Sequence, residues 1–243
     1  MHFRLLSYNI HKGIGGVDRR YDLGRIVETI QHYQPDVAFL QEVDDGVPRS
    51  GQHAQAELLA EATGLEHFTY QRNVRLRVGH YGNAILSRYP IEDPSHIDLT
   101  VRPKKRRGAL VARWRVPVGE HSKTMTIVNL HIGLSGLERQ WQLRKLFRVS
   151  HLAELRNRSP LVIGGDFNDF WNSLGWRVMA PAGFRAAGPA LPTFPATFPL
   201  RPLDKVFFRG DLRPLDVRTG HTELARLASD HLPLVVDFEF TRK

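Results

Sequence analysis

The decapeptide Pro160–Asp169, PLVIGGDFND, decides how the rest of the chain is read. Leu161, Val162 and Ile163 form a short apolar run that suits a buried strand. Gly164 and Gly165 predict a sharp turn, because glycine pays no steric cost in unusual backbone conformations. Asp166 and Asn168 follow at alternate positions, so in extended geometry both side chains point the same way. A carboxylate and a carboxamide presented together at a strand's end can hold a ligand, although the same residue types also build turns. Partners elsewhere in the chain decide between the two.

Such partners recur. Phe3–Tyr8 reads as a strand running into Asn9. Asp22 predicts the N-cap of a helix with Leu23, Ile26, Val27 and Ile30 at helical spacing, stopped by Pro35. Val37–Leu40 is a second strand, ending in Gln41-Glu42, and a helix over Gln55–Thr63 stops at Gly64. Asn83 precedes the strand Ala84–Leu86, and the basic run Lys104–Arg107 precedes Ala109–Val116. His131 follows the strand Met125–Leu130. A long helix is predicted from Gly136 to about Arg156, with Leu137, Trp141, Leu152 and Leu155 inward and Arg139, Arg148 and Arg156 toward water. A proline-rich loop spans Ala180 to Pro202, with Phe184, Phe194 and Phe198 as loop anchors or stacking surfaces. Asp204 precedes Val206–Phe208, and Asp230-His231 precedes Leu234–Phe240.

Seven strands thus begin or end in Asn, Asp, Glu or His, more than unrelated sequence usually assembles. Gathered at one edge, these residues form a carboxylate-rich pocket with two histidines. That inventory suits metal-assisted hydrolysis of a phosphate ester. Such a reaction needs an activated water, charge stabilisation at the equatorial oxygens and help for the leaving oxygen.

The motifs SYNIHKG, FLQEVD, YGNAILSRYP, VNLHIGL, GGDFND, PLDKVFF and SDHLPL occur in an order that resembles the endonuclease/exonuclease/phosphatase superfamily, from about Leu5 to Phe238. The resemblance implies an α/β four-layer sandwich, two packed mixed β-sheets flanked by helices, with the site at one edge. It implies Glu42 as the principal ligand of a Mg²⁺ ion (Mn²⁺ able to substitute), with Asn9 beside it and Asp230 near the same ion. Asp166 then orients or deprotonates the attacking water, and Asn168 holds the water or the phosphate. His231 contacts the scissile phosphate, kept cationic by Asp204, and His131 faces the phosphate or the leaving oxygen as electrophile or acid. Asn83, Arg107 and His11 are further candidates for substrate phosphate. Some relatives carry a carboxylate at the position of His11. Its absence speaks against a second metal built there and against abasic-site repair.

Composition bounds the rest. The 243 residues, 42% hydrophobic, predict one domain over 1–243 with a sizeable core. The absence of cysteine excludes disulfides, thiolate metal sites and a cysteine nucleophile. No apolar run approaches a membrane span and the N-terminal segment is too quickly polar for a secretory signal, so a cytoplasmic location is expected. A net charge of +9 predicts an anionic partner. The leading expectation is a Mg²⁺-dependent nuclease acting on DNA or RNA. The alternative is a phosphodiesterase or phosphatase acting on a phospholipid headgroup or a phosphorylated small molecule. A catalytically silent nucleic-acid binder is a third class, opposed by the intact set of acidic and amide residues. No obligate protein partner is readable.

Overall fold

The computed structural model describes residues 2–118, 121–149, 152 and 158–241. In chain order these form β1 (His2–Asn9), α1 (Leu23–Tyr33), β2 (Val37–Asp45), α2 (Gln55–Thr63), β3 (His67–Arg75), β4 (His80–Ser87), β5 (Ile91–Asp98), β6 (Gly108–Val118), β7 (His121–His131) and α3 (Gly136–Phe147). The remainder is β8 (Leu161–Asp166), a turn of π-helix (Gly175–Met179), β9 (Arg185–Ala186), β10 (Asp204–Arg209), β11 (Leu212–Thr219), α4 (Glu223–Ala228) and β12 (Leu234–Phe240).

The strands make two six-stranded mixed sheets, ordered β11-β12-β1-β2-β4-β3 and β5-β6-β7-β8-β10-β9. Strand alternation explains the layering. In β1, Phe3 and Leu5 enter the core between the sheets, while Leu6 and Tyr8 face α1 and α2. In β8, Val162 enters the same inter-sheet core, while Leu161 and Ile163 join Leu143 and Leu146 of α3. A strand apolar on both faces is buried on both, which yields helix, sheet, sheet, helix: the expected four-layer sandwich. The second sheet is built from one uninterrupted stretch, 91–209, inserted between the N-terminal and C-terminal strands of the first.

Three local expectations need correction. Gly164 and Gly165 do not turn the chain; both lie inside β8. They permit close approach instead. A Cβ on Gly164 would stand 2.9 Å from the Phe39 ring, and one on Gly165 (φ +138°) 1.9 Å from the Leu130 carbonyl oxygen. Asp22 occupies the N-cap of α1 as expected, with its carboxylate paired to Arg25 at 3.3 Å. The helix from Gly136 ends at Phe147, and the inward placements of Leu137 and Trp141 are reversed: both are exposed. Arg139 is buried instead, because its guanidinium reaches the Leu134 carbonyl and lies 3.8 Å from the buried carboxylate of Asp169. Leu152 is buried as expected, while Leu155 and Arg156 fall outside the described residues.

Candidate active site

β1 and β2 run parallel, as do β7 and β8, so the carboxyl ends of these central strands share one edge of the sandwich. Asn9, His131 and Asp166 are the last residues of β1, β7 and β8, and Glu42 lies at an irregularity within β2. The two sheets meet there: Asn9 Nδ2 donates to Asp166 Oδ2 at 3.1 Å, across 157 residues of sequence. Behind this contact a buried amide pair ties the sheets, with Gln41 Nε2 on Asn129 Oδ1 at 2.8 Å and Asn129 Nδ2 on the Leu40 and Ala84 carbonyls.

Asp166 is the centre of the cluster. The parallel register sets His131 opposite it on β7, and the antiparallel register sets Asp204 opposite it on β10. His131 Nε2 lies 3.4 Å and His231 Nε2 4.0 Å from Asp166 Oδ2. Its Oδ1 accepts the Asn168 backbone N–H at 2.9 Å. Asn168 adopts a left-handed backbone (φ 48°) and gives Nδ2 to the Ile132 carbonyl at 3.0 Å, which fixes the amide with its Oδ1 uncommitted.

The two histidines are electrostatically opposite. His231 Nδ1 lies 2.8 Å from Asp204 Oδ2, and since a carboxylate only accepts, Nδ1 carries the proton and Nε2 faces Asp166. Burial alone would lower its pKa, but Asp204, then Asp166 and Asp230, outweigh that and raise it to about 10. His131 has no such partner. Burial first and the Arg107 charge second lower its pKa to about 4, against the pull of Asp166 and Glu42. One ring is therefore an imidazolium at neutral pH and the other a neutral imidazole. Phe194 packs on the His231 ring at 5.0 Å, so the proline-rich loop closes over it.

Glu42 reaches the site through a bulge. The β2–β4 register passes from Leu40↔Ala84 to Val43↔Gly82, so Gln41 and Glu42 together oppose Asn83, and Glu42 takes φ 57°. Burial opposes its charge, but His131 and the contacting Lys12 ammonium outweigh it and hold the carboxyl below its ordinary range. Of the weaker candidates, His11 gives Nδ1 to the Ile14 carbonyl at 2.8 Å and turns Nε2 to within 3.8 Å of Asp230 Oδ2. Asn83 lies inside β4 rather than before a strand, and its Nδ2 donates to the Gly108 carbonyl at 3.2 Å. It ties the sheets beneath the site.

Arg107 stands apart. It is 8% exposed, and its guanidinium has no hydrogen-bond or carboxylate partner among the described residues. It shares its surroundings with His131 and Tyr81. Tyr81, a residue not singled out from the sequence, gathers Lys12, Arg49 and Lys105 at 5.7, 5.7 and 4.7 Å from its ring centre. Only its place beside Asn83 in the YGNAILS motif pointed to it.

The residues fit a hard divalent cation. No three or more His, Cys, Asp or Glu side chains form a closed metal cage among the described residues. Mg²⁺ needs none, since one or two carboxylates with water and substrate oxygens suffice. The buried Asp230 Oδ1 has no partner, an orphan acceptor of the kind a cation relieves.

The profile of the endonuclease/exonuclease/phosphatase family matches residues 6–231. The uncharacterized protein YbhP of Escherichia coli K12 is 33% identical over 248 residues, covering 96% of this chain and 94% of that protein. An endonuclease/exonuclease/phosphatase from Beutenbergia cavernae superposes with a TM-score of 0.78 at 22% identity, covering 98% of this chain and 72% of that one. The mannosyl-6-phosphatase of Bacteroides thetaiotaomicron gives a TM-score of 0.72 at 17% identity, covering 98% and 100%.

Proposed function

Since the chain belongs to the endonuclease/exonuclease/phosphatase family of metal-dependent phosphoesterases, we propose that it hydrolyses a phosphodiester by in-line attack of water, with Mg²⁺ or Mn²⁺ as the metal. Arg107 carries this reading. Its side chain packs beside His131 and Tyr81, no carboxylate pairs with its guanidinium among the described residues, and a phosphate is the kind of anion such a planar cation binds. Asp166 takes the proton of the attacking water, steadied by Asn9 and the Asn168 N–H. The His231 imidazolium, fixed by Asp204, faces the charge that builds on the equatorial oxygens. His131, held neutral, serves as a hydrogen-bonding electrophile and not as a proton donor. The metal, held by Glu42 with Asn9 and Asp230, would polarise the phosphate and stabilise the leaving oxygen.

Hydrolysis of a simple soluble diester is expected to stop in excess chelator and return with Mg²⁺. Glu42→Gln is expected to weaken Mg²⁺ binding by roughly tenfold or more in calorimetry while the Tm moves little. Full turnover with metal shown to be absent would overturn the assignment.

Nucleic acid is the substrate that the charge supports. The net charge is +9, and Lys105, from the run Lys104–Arg107, reaches Tyr81 beside Glu42. Binding to oligonucleotides should be steeply salt-dependent, with log affinity falling by roughly 0.7–0.9 per phosphate contact against log salt. A Lys104/Lys105/Arg106 triple alanine variant is expected to flatten that slope by about two to three contacts and leave metal binding intact. A second reading, a lipid phosphodiester, is favoured by a separate observation: large apolar side chains stand exposed on the loops that carry the site. Oligonucleotides, phospholipids and soluble sugar phosphates assayed side by side separate these readings. Cleavage of no oligonucleotide beside robust phospholipid hydrolysis would discard the first.

A further inference from the structure

Three of the four tryptophans, Trp141, Trp171 and Trp176, are 64–79% exposed, while Trp114 is fully buried. Leu134 and Leu137, Phe198 and Leu200 are exposed to a similar degree. All of these exposed side chains but Trp176 are joined in one arc. Leu134 follows His131 by three residues, and Leu137 and Trp141 share a face of α3 at i, i+4. Arg139 ties this helix to Asp169, two residues before Trp171. Arg201 lies 5.7 Å from the rings of both Phe170 and Trp171, which joins that loop to the segment bearing Phe198 and Leu200. The same segment sets Phe194 on His231. The arc therefore follows the pocket mouth from α3 to the catalytic imidazole.

Its charge is one-sided. Residues 170–203 contain no Asp or Glu, and the only acid within 132–149, Glu138, is buried. Cations flank the apolar groups: Arg144, Lys145 and Arg148 line a hollow with Trp141, and Arg177 covers Trp176 at 4.6 Å. Tryptophan and leucine beside arginine and lysine match the boundary between acyl chains and anionic headgroups. The tryptophans and Phe198 are flat enough to stack on bases, but Leu134, Leu137 and Leu200 between them are not, whereas all of them suit an acyl layer. No helix among the described residues is long and apolar enough to cross a membrane.

We infer that the site-bearing edge docks on an anionic lipid bilayer through Trp141, Trp171 and the leucines and phenylalanine between them, which places the pocket mouth at headgroup level. The inference rests on the lipid-phosphodiester reading above and is testable without turnover. In excess chelator, the protein should co-sediment with phosphatidylcholine vesicles containing phosphatidylglycerol and much less with phosphatidylcholine alone. Tryptophan emission should shift to the blue on binding. A Trp141→Ala/Trp171→Ala variant should lose roughly tenfold or more of that partitioning, with Tm and hydrolysis of a soluble diester unchanged. Absence of vesicle binding overturns the docking surface, even if detergent-dispersed phospholipid is hydrolysed. Trp-dependent vesicle binding without phospholipid hydrolysis supports the docking surface and removes the substrate reading. If the double variant instead loses oligonucleotide binding and never bound vesicles, the arc is a base-stacking platform and the inference fails.

Discussion

Asp166→Asn is expected to cut turnover by about 10²–10⁴-fold with the fold intact. The substitution keeps the size of the side chain, and its single amide oxygen can still accept from Asn9 Nδ2 or from the Asn168 N–H, though not from both. What disappears is the charge that takes a proton from water. His131, the nearest ring at 3.4 Å, cannot replace it as base without losing its own contact to position 166. Asp166 is almost wholly buried, so the desolvation cost that the substitution removes is offset by the lost hydrogen bond and the lost attraction to the His231 imidazolium, and the Tm should fall modestly. Substrate should bind as well as before or more tightly, because a negative charge beside the phosphate is gone. Single-turnover kinetics with a soluble diester, alongside equilibrium binding, check this. Near-normal turnover would remove the end of β8 from the centre of the chemistry.

Asp204→Asn should act at one remove. Asp204 holds His231 through Nδ1 at 2.8 Å and is the main reason its pKa stands near 10 in spite of burial. Without that carboxylate the desolvation of the ring dominates, and His231 becomes neutral at physiological pH. Activity is expected to fall by roughly 10²–10⁴-fold, as when an oriented imidazole loses its partner. The pH profile distinguishes this from simple misplacement. The wild-type alkaline limit set by His231 lies near pH 10, and in the variant it should move to the acid side of neutrality, so that lowering the pH restores part of the activity. The sign for stability follows. A folded-state pKa raised above the ordinary value near 6.5 contributes stability that is complete below that value and is lost as pH rises through about 10. The wild-type advantage in Tm over Asp204→Asn should therefore shrink across that window. A fully active variant with an unchanged profile would make Asp204 a structural residue.

Which parts of this molecule are legible in its sequence follows from where each strand sits. The central strands β1, β2, β7, β8, β10 and β12 read clearly, because burial on both faces requires unbroken apolar runs such as LVI and LVV. The strands that sequence reading passed over, β3, β5, β9 and β11, are the four edges of the two sheets. Edges carry charge and proline, as in HFTYQRNVR, IEDPSHID and LRPLDVRT, and such features guard against pairing with other chains while erasing the alternation. The reversed face of α3 has a related cause. Apolarity pointed Leu137 and Trp141 inward, but the buried positions were taken by Arg139 and Gln142, which bond the turn before the helix at the Leu134 carbonyl and the Gly133 N–H, with Arg139 also beside the distant Asp169. Strand ends located the candidate residues around Asp166. They could not reveal the bulge that turns Glu42 or the unpartnered state of Arg107, since both depend on neighbours from other strands.

The insertion of one sheet inside the other governs when this protein can first work. As the chain is synthesised, β1 emerges before all the other strands, yet its antiparallel neighbour β12 follows every one of them. Asp230 and His231 lie just ahead of β12, so a nascent chain that already displays Glu42 and Asp166 still lacks the imidazolium. Such long-range pairing folds slowly and late. The proposed chemistry therefore waits on the last pairing of the first sheet: a chain truncated before Asp230 would lack both the His231 imidazolium and the strand that pairs antiparallel with β1.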